Sequence, residues 1–249
     1  MRLVILLLAS WLIAGCAKTP VTGRTQLILI SNEQEAALGL RESEKLKQTA
    51  KLSIDTARVA RIRRIGEKIA AVSGREDFDW EFNVIESDEV NAFCLPGGKV
   101  FFYTGILKLT SNDDQIATVM GHEIAHALAR HGAERLSLQM VSSAGAQMLA
   151  SALEIPAEYQ GMYRQAYGIG TQVGVMLPYS RKHEHEADQI GVYLMWKAGY
   201  RPEEAVRFWE KMKAKSQGRA APEFLSTHPT DQSRIDAIRA FIKTLPERP

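Results

Sequence analysis

The sequence predicts an α+β domain, mostly helical with a small β-sheet. Apolar residues recur at helical spacing over most of the chain from Ser31 to Phe241. Strand-like alternation is confined to two short stretches, Phe78 to Val84 and Val100 to Tyr103. The 249 residues, 45% hydrophobic and 24% charged, are those of an ordinary globular chain with room for one domain or two small ones. A formal net charge of +2, with no basic run interleaved with aromatics, gives no reason to expect a nucleic-acid partner.

Ser31-Asn32-Glu33-Gln34 has the spacing of a capping box and opens a polar helix to about Ala50. Val59, Ile62, Ile65, Ile69 and Val72 share one helical face, so Ser53 to Ser73 reads as an amphipathic helix. Its arginines, Arg58, Arg61, Arg63 and Arg64, form a solvated face or a contact to lipid head groups. Phe78, Trp80, Phe82 and Val84 alternate as in a strand, and Val100 to Tyr103 follows the turn signal Pro96-Gly97-Gly98. Asn112 or Asp113 can cap the next helix, which runs through Ile116, Val119 and Met120 to Leu128, with Gly132 as its expected stop. From Ala133 to Leu177 the many Ala, Gly, Met and Ser residues keep helical periodicity, which suits close helix packing or a lid over a cleft. A helix from Arg181 to Ala198 should end at Gly199. Another should start at Pro202, and a last one at Pro229. The chain ends directly after that helix, so no appended helical-repeat domain is expected.

The N-terminus carries an address rather than a fold. Met1-Arg2 precedes an apolar run from Leu3 to Ile13, and Ala14-Gly15 supplies small residues before Cys16. This reads as a secretory signal peptide over residues 1–15. It is too short for a membrane span, which needs about 20 apolar residues. Leu12-Ile13-Ala14-Gly15-Cys16 resembles the lipobox of bacterial lipoproteins, which implies cleavage before Cys16 and lipidation of that cysteine. Residues 16–30 are then expected as a lipid-anchored tether, and Ala17 after the cysteine favours the outer membrane in a Gram-negative host. Cys94 has no intrachain partner once Cys16 is modified. It reads as a small buried apolar residue, with an intermolecular disulfide or metal ligation as alternatives.

The chemistry-bearing residues begin with His122-Glu123-Ile124-Ala125-His126, inside the strongest helical pattern. Histidines four apart lie one turn above each other and can bind one zinc ion, while Glu123, offset around the helix, can take a proton from a water at the metal. Spacing alone is weak, since three specified residues recur by chance in roughly one chain in a hundred of this length. The apolar setting of Ile124, Ala125, Ala127 and Leu128 strengthens it, because burying these polar groups without partners costs several kcal/mol. His131, five residues past His126, is turned away from the ligand face. A third ligand is sought at Ser180-Arg181-Lys182-His183-Glu184-His185-Glu186-Ala187-Asp188. There Glu184 and Asp188 share a helical face, and Glu184 is either a ligand or part of a charged surface helix. Asp188 can accept the free N–H of a ligand histidine.

His122-Glu123-x-x-His126, Ser180 to Asp188 and Ser226-Thr227-His228-Pro229, in that order, resemble peptidase family M48, which includes HtpX, the CAAX prenyl proteases and small periplasmic lipoprotein proteases. The resemblance covers about residues 30 to 245. It implies a zincin-type (gluzincin) metallopeptidase domain over residues 31–249, with a small sheet carrying an edge strand beside the active-site helix. It further implies one Zn2+ per chain on His122, His126 and Glu184, with Glu123 as base, Asp188 behind the ligands and His228 steadying the oxyanion. Asn91, Ala92 and Phe93 match the family's edge strand, along which an extended substrate pairs. From the residues alone, the alternatives are a turn residue for Asn91 and a helix-entry residue for His228. The implied function is a zinc endopeptidase of the cell envelope, acting on unfolded or extended polypeptides, with other envelope proteins as further partners. A prenylated CAAX substrate is not expected, because the chain lacks the transmembrane helices of the membrane-embedded members. Two alternatives stand beside it: an envelope chaperone or assembly factor on the same fold, and a deformylase-like zinc hydrolase with Cys94 as third ligand.

Overall fold

The computed structural model describes residues 16–172, 176–216 and 222–247. The expected signal peptide, 1–15, lies outside the described residues. Residues 16–30, expected as a tether, contain an antiparallel hairpin of β1 (Cys16–Lys18) and β2 (Thr25–Leu27), with Cys16 opposite Leu27. Thr19, Gln26 and Ile28 are buried, and the backbone N–H of Leu29 donates to Ser137 Oγ at 2.8 Å, so the segment is packed on the domain. Its sequence hides this because its anchoring groups are hydroxyls and an arginine rather than an apolar stripe.

The capping box forms as the sequence predicts: Ser31 accepts from Gln34 N and Gln34 returns a bond to Ser31 N, opening α1 (Asn32–Thr49). Asp55 caps α2 (Thr56–Ala70), which buries Ile62, Ile65 and Ile69 against a three-stranded sheet. The strands are β3 (Glu81–Ile85), β4 (Ala92–Leu95) and β5 (Lys99–Tyr103), in the order β3-β5-β4. β3 runs parallel to β5, and β4 antiparallel to it with Ala92 opposite Phe102. Phe78 and Trp80 fall ahead of β3 rather than within it. Gly97 and Gly98, at φ 81° and 88°, make the tight turn from β4 to β5 that few other residues would tolerate. β4 is therefore an edge strand, and among the described residues no strand pairs with its outer side.

After α3 (Thr104–Leu107) comes α4 (Asp113–Leu128), capped by Asn112. Nearly every residue of α4 from Gln115 on is buried, so it is the central rod of the domain. It does not stop at Gly132. Arg130 adopts the left-handed conformation at φ 54°, and α5 (His131–Ala152) starts immediately, with Gly132 inside it. A non-glycine residue there costs about 1–2 kcal/mol. Two contacts of its guanidinium offset the strain, with Glu35 Oε2 at 2.6 Å and the Ile30 carbonyl at 2.9 Å. The reversal folds His131 back beside the end of α4.

A short 3-10 turn (Ala157–Tyr159) leads to α6 (Gln160–Thr171), and then follow α7 (Leu177–Lys197), α8 (Glu203–Ser216), α9 (Phe224–Thr227) and α10 (Gln232–Ile242). Gly199, at φ 90°, ends α7 as expected. The last helix is capped by Asp231 rather than begun by Pro229, whose carbonyl is used instead by the Arg234 guanidinium. Among the described residues no helix is long and apolar enough to cross a membrane.

The contact that positions the site is between α4 and α7. A Cβ on Gly121 would come within 2.7 Å of the Gly191 carbonyl oxygen, and one on Gly191 within 2.8 Å of His122 N. The helices touch backbone to backbone, and neither neighbour is a flexible side chain that could yield. Gly191→Ala is expected to destabilise the chain by about 1–3 kcal/mol in urea unfolding. Gly132→Ala, with open space around its Cβ position, should stay within about 1 kcal/mol of the parent on the stabilising side.

Candidate metal centre

α4 presents His122 and His126 one turn apart, with ring centroids 4.8 Å from each other. α7, held against α4 at the glycine contact, presents Glu184 and Asp188. The loop after α9 brings in His228, whose ring stacks on Phe224 at 4.5 Å. One donor atom from each of His122, His126, Glu184 and His228 lies within 4.8 Å of all the others. His122 Nε2 is 3.2 Å from His126 Nε2 and 3.3 Å from Glu184 Oε2, and His126 Nε2 is 3.4 Å from Glu184 Oε1. His228 Nδ1 is 3.2 Å from His122 Nε2 and 3.1 Å from Glu184 Oε2.

These separations fit a zinc ion. Ligand bonds of 2.0–2.1 Å give a tetrahedron with edges of about 3.3 Å. The cluster gathers three imidazoles and one carboxylate in a largely buried space, a donor set of the kind zinc takes. His122 Nδ1 faces Asp188 Oδ1 at 3.1 Å; burial disfavours the charged ring, but the Asp188 and Glu184 carboxylates outweigh it and raise its affinity for a proton. His122 Nε2 is aimed at a carboxylate and two further ring nitrogens. Burial drives His126 well below the ordinary histidine range, which leaves it neutral as a ligand must be.

Around the donors lies a set of orienting groups. Asp188 is gripped by Arg234 through two bonds of 2.8 Å, and Arg234 Nη1 also stands 3.1 Å from Glu184 Oε2. The Arg234 guanidinium lies over the Trp209 ring at 4.2 Å. His131 Nδ1 is 2.9 Å from His126 Nδ1, and its Nε2 is 3.0 Å from Glu186 Oε2. Burial lowers His131 to about 4, so that ring is neutral at pH 7. Burial alone would raise Glu186, but bonds from His131, Thr22, Thr19 and Arg24 outweigh it and hold the carboxyl down to about 2.

Glu123 is buried beside the cluster, its Oε1 without a hydrogen-bond partner and 3.6 Å from His228 Nε2. Burial pushes its carboxyl up to about 7, against the pull of His228 and Arg234 and with the help of Glu184. Of the edge-strand residues, Asn91 precedes β4 and spends its side chain on Glu89 Oε1 and Ala92 N, both at 2.9 Å. Ala92 is buried, and Phe93 stacks on Phe101 at 5.3 Å. Cys94, weighed as a ligand, lies outside the donor set. Its Sγ is 3.5 Å from the Leu95 carbonyl, and burial first, then the nearby Glu123, push the thiol up, away from the thiolate a metal would need. The Cys16 side chain lies outside the described residues.

The structure thus brings together His122, Glu123, His126, Glu184, Asp188 and His228. It departs from the sequence reading in one respect: His228 Nδ1 stands within the donor set, at the fourth corner, and not only beside it. Sequence reasoning missed Arg234, whose carboxylate partners Asp188 and Glu184 are 46 residues or more away, and gave His131 no role. His131 does face away from the donors, but a residue that faces away can still hold the ligand from behind.

The geometry leads to distinct expectations for each donor. His126→Ala and Glu184→Ala should lose most bound zinc after dialysis, whereas His228→Ala should keep about one zinc per chain on the remaining three donors. Inductively coupled plasma mass spectrometry reads the difference, and equal zinc in all three variants would refute the donor assignment. Chelation should also lower the unfolding temperature, since a ligand bound only by the folded state stabilises it.

A model of Peptidase family M48 matches residues 56–242. The mitochondrial metalloendopeptidase OMA1 of Schizosaccharomyces pombe is 38% identical over 182 residues, covering 73% of this chain and 52% of that protein. OMA1 of Saccharomyces cerevisiae is 33% identical over 244 residues, covering 90% and 68%. The β-barrel assembly-enhancing protease of Escherichia coli is 30% identical over 230 residues, covering 88% and 46%. The chain spans about half the length of the S. pombe and E. coli relatives. With the family model spanning most of the chain and the buried donor set fitting zinc, the protein belongs to Peptidase family M48, a family of zinc-dependent metallopeptidases.

Proposed function

We propose that this protein is a zinc-dependent endopeptidase of the bacterial cell envelope, cleaving unfolded or extended segments of envelope proteins. The observation that carries this reading is the Glu123 carboxylate, buried and with one oxygen unbonded, beside a four-donor cluster. An acidic group whose affinity for a proton is raised toward neutrality by burial is suited to accept one and give it back.

When bound on His122, His126 and Glu184, zinc supplies a Lewis acid that polarises the scissile carbonyl and lowers the pKa of water from 15.7 to about 7. Glu123 accepts the proton of the attacking water and delivers it to the leaving amine. The outer side of β4 offers unpaired main-chain groups along which an extended peptide can lie, next to α4. Pairing of that kind orients a carbonyl with little demand on side chains, which suits broad specificity. His228 Nδ1 stands within the donor set, 3.2 Å from His122 Nε2 and 3.1 Å from Glu184 Oε2, and would have to move aside for a water to enter there. Once away from it, the imidazole can serve as the hydrogen-bond donor to the oxyanion, a role worth about 3 kcal/mol for a well-placed group.

The envelope part of the proposal draws on the apolar leader and lipobox pattern ending at Cys16. It is supported by the likeness to an E. coli protease named for β-barrel assembly. Cys16 opens β1 and pairs with Leu27, so an acyl chain at this residue would hold the domain close to a membrane surface. A role in removing misfolded envelope proteins follows from an anchored endopeptidase that recognises extended backbone.

Glu123→Gln keeps the shape and all four donors but cannot take a proton. It should retain zinc while casein cleavage falls by roughly 10²–10⁴-fold. Unchanged turnover in that variant would remove Glu123 from the reaction.

A further inference from the structure

We propose that His131 is a positioning residue for the ligand His126, held in place by the N-terminal hairpin through Glu186. The inference rests on the reading of His126 as a metal ligand and adds a route by which the hairpin controls it.

Each link in the relay is forced by the one before. A carboxylate only accepts, so His131 Nε2, 3.0 Å from Glu186 Oε2, must carry the proton of that ring. The Nδ1 of His131 is then bare and can only accept. Its neighbour at 2.9 Å is His126 Nδ1, which must therefore be the protonated nitrogen of His126. That leaves His126 Nε2 with its lone pair directed at the donor cluster, the tautomer a metal requires.

The hairpin fixes the far end. Glu186 Oε1 accepts from Thr19 Oγ1 at 2.7 Å and from Thr22 Oγ1, and Oε2 accepts from Arg24 Nε at 2.7 Å as well as from His131. All four lone-pair sites of the carboxylate are filled, three of them from the turn and edge of the β1–β2 hairpin. Arg24 also clamps Glu134 of α5 through bonds of 2.9 and 2.7 Å. Glu134 in turn bonds His183 Nε2 at 2.8 Å, and the His183 ring stacks on His131 at 4.1 Å with the planes 10° apart. Arg24 thereby joins α5 and α7 across the back of the site and braces His131 on its edge and on its face. His122 needs no such relay, because Asp188 faces its Nδ1 directly.

Zinc retention should accordingly depend on residues that never approach the metal. The test uses the full chain and two measurements: the zinc dissociation constant by competition with a chromophoric chelator, and the His126 tautomer by ¹⁵N NMR. His131→Phe keeps a ring but removes the acceptor. It is expected to weaken zinc binding about 10–100-fold, with His126 no longer held as the Nδ1–H form. His131→Asn, whose amide oxygen can stand near the place of Nδ1, should recover most of the affinity. Arg24→Gln, at the partly exposed end of the relay, should weaken zinc in the same direction. It should add little to His131→Phe in the double variant, since both cut one chain. Parent affinity and an unchanged His126 tautomer in both His131→Phe and Arg24→Gln would overturn the proposal. So would a drop in unfolding temperature of the metal-free chain with zinc affinity intact. If His131→Phe does not fold, Arg24→Gln decides the matter by the same two readouts. His126→Ala separates the underlying reading: loss of zinc there with none in the other variants rejects the relay alone, whereas retention there rejects His126 as a ligand.

Discussion

The site depends on two helices touching without side chains between them. Gly121 and Gly191 let α4 and α7 meet backbone to backbone, and this sets the distance between the histidine pair on one and Glu184 with Asp188 on the other. Zinc–ligand bonds tolerate only a few tenths of an ångström, so a methyl group inserted at this contact would be felt at the donors. The rest of the domain serves that geometry. The sheet and α2 pack one side of α4, while α8, α9 and α10 close the other and deliver Trp209, Phe224, His228 and Arg234 around the donor cluster.

Burial gives the site its chemistry and its cost. Titratable groups concentrated around α4 and α7 are stable only because each orienting group has a partner, with Arg234 on Asp188 and Glu186 on His131. Glu123 differs from these orienting groups. One of its oxygens has no partner, and burial holds its carboxyl near neutrality rather than in the usual acidic range. A buried polar group left unsatisfied calls for an explanation, and the proton-transfer role proposed for Glu123 supplies one. The edge strand β4 packs beside the same helix, and Cys94 of that strand lies near Glu123.

Much of this was legible in the sequence, for a physical reason. His122 with His126 and Glu184 with Asp188 are each four residues apart on strongly helical patterns, so local periodicity alone put each pair on one face. The caps at Ser31 and Asn112, the turn at Gly97-Gly98 and the stop at Gly199 were legible in the same way, because each is a local conformational demand. What stayed hidden depends on partners distant in sequence. Arg130 can take a left-handed turn because Glu35 and Ile30, roughly a hundred residues earlier, hold its guanidinium, so Gly132 was the wrong place to end α4. Arg234 reaches Asp188 across 46 residues, and Arg24 reaches Glu186 across 162. The hairpin over residues 16–27 looked like a tether because its hold on the domain is polar, a pattern that apolar periodicity does not detect.

The central claim is that one zinc ion is held by nitrogen and oxygen donors from α4, α7 and the His228 loop. Zinc K-edge X-ray absorption on the loaded full chain tests it most directly. The account predicts a single shell of four N/O scatterers near 2.0–2.1 Å, with the outer-shell pattern of at least two imidazoles. A sulfur scatterer near 2.3 Å, which only a cysteine or methionine could supply, or a six-coordinate oxygen shell without imidazole, would contradict it.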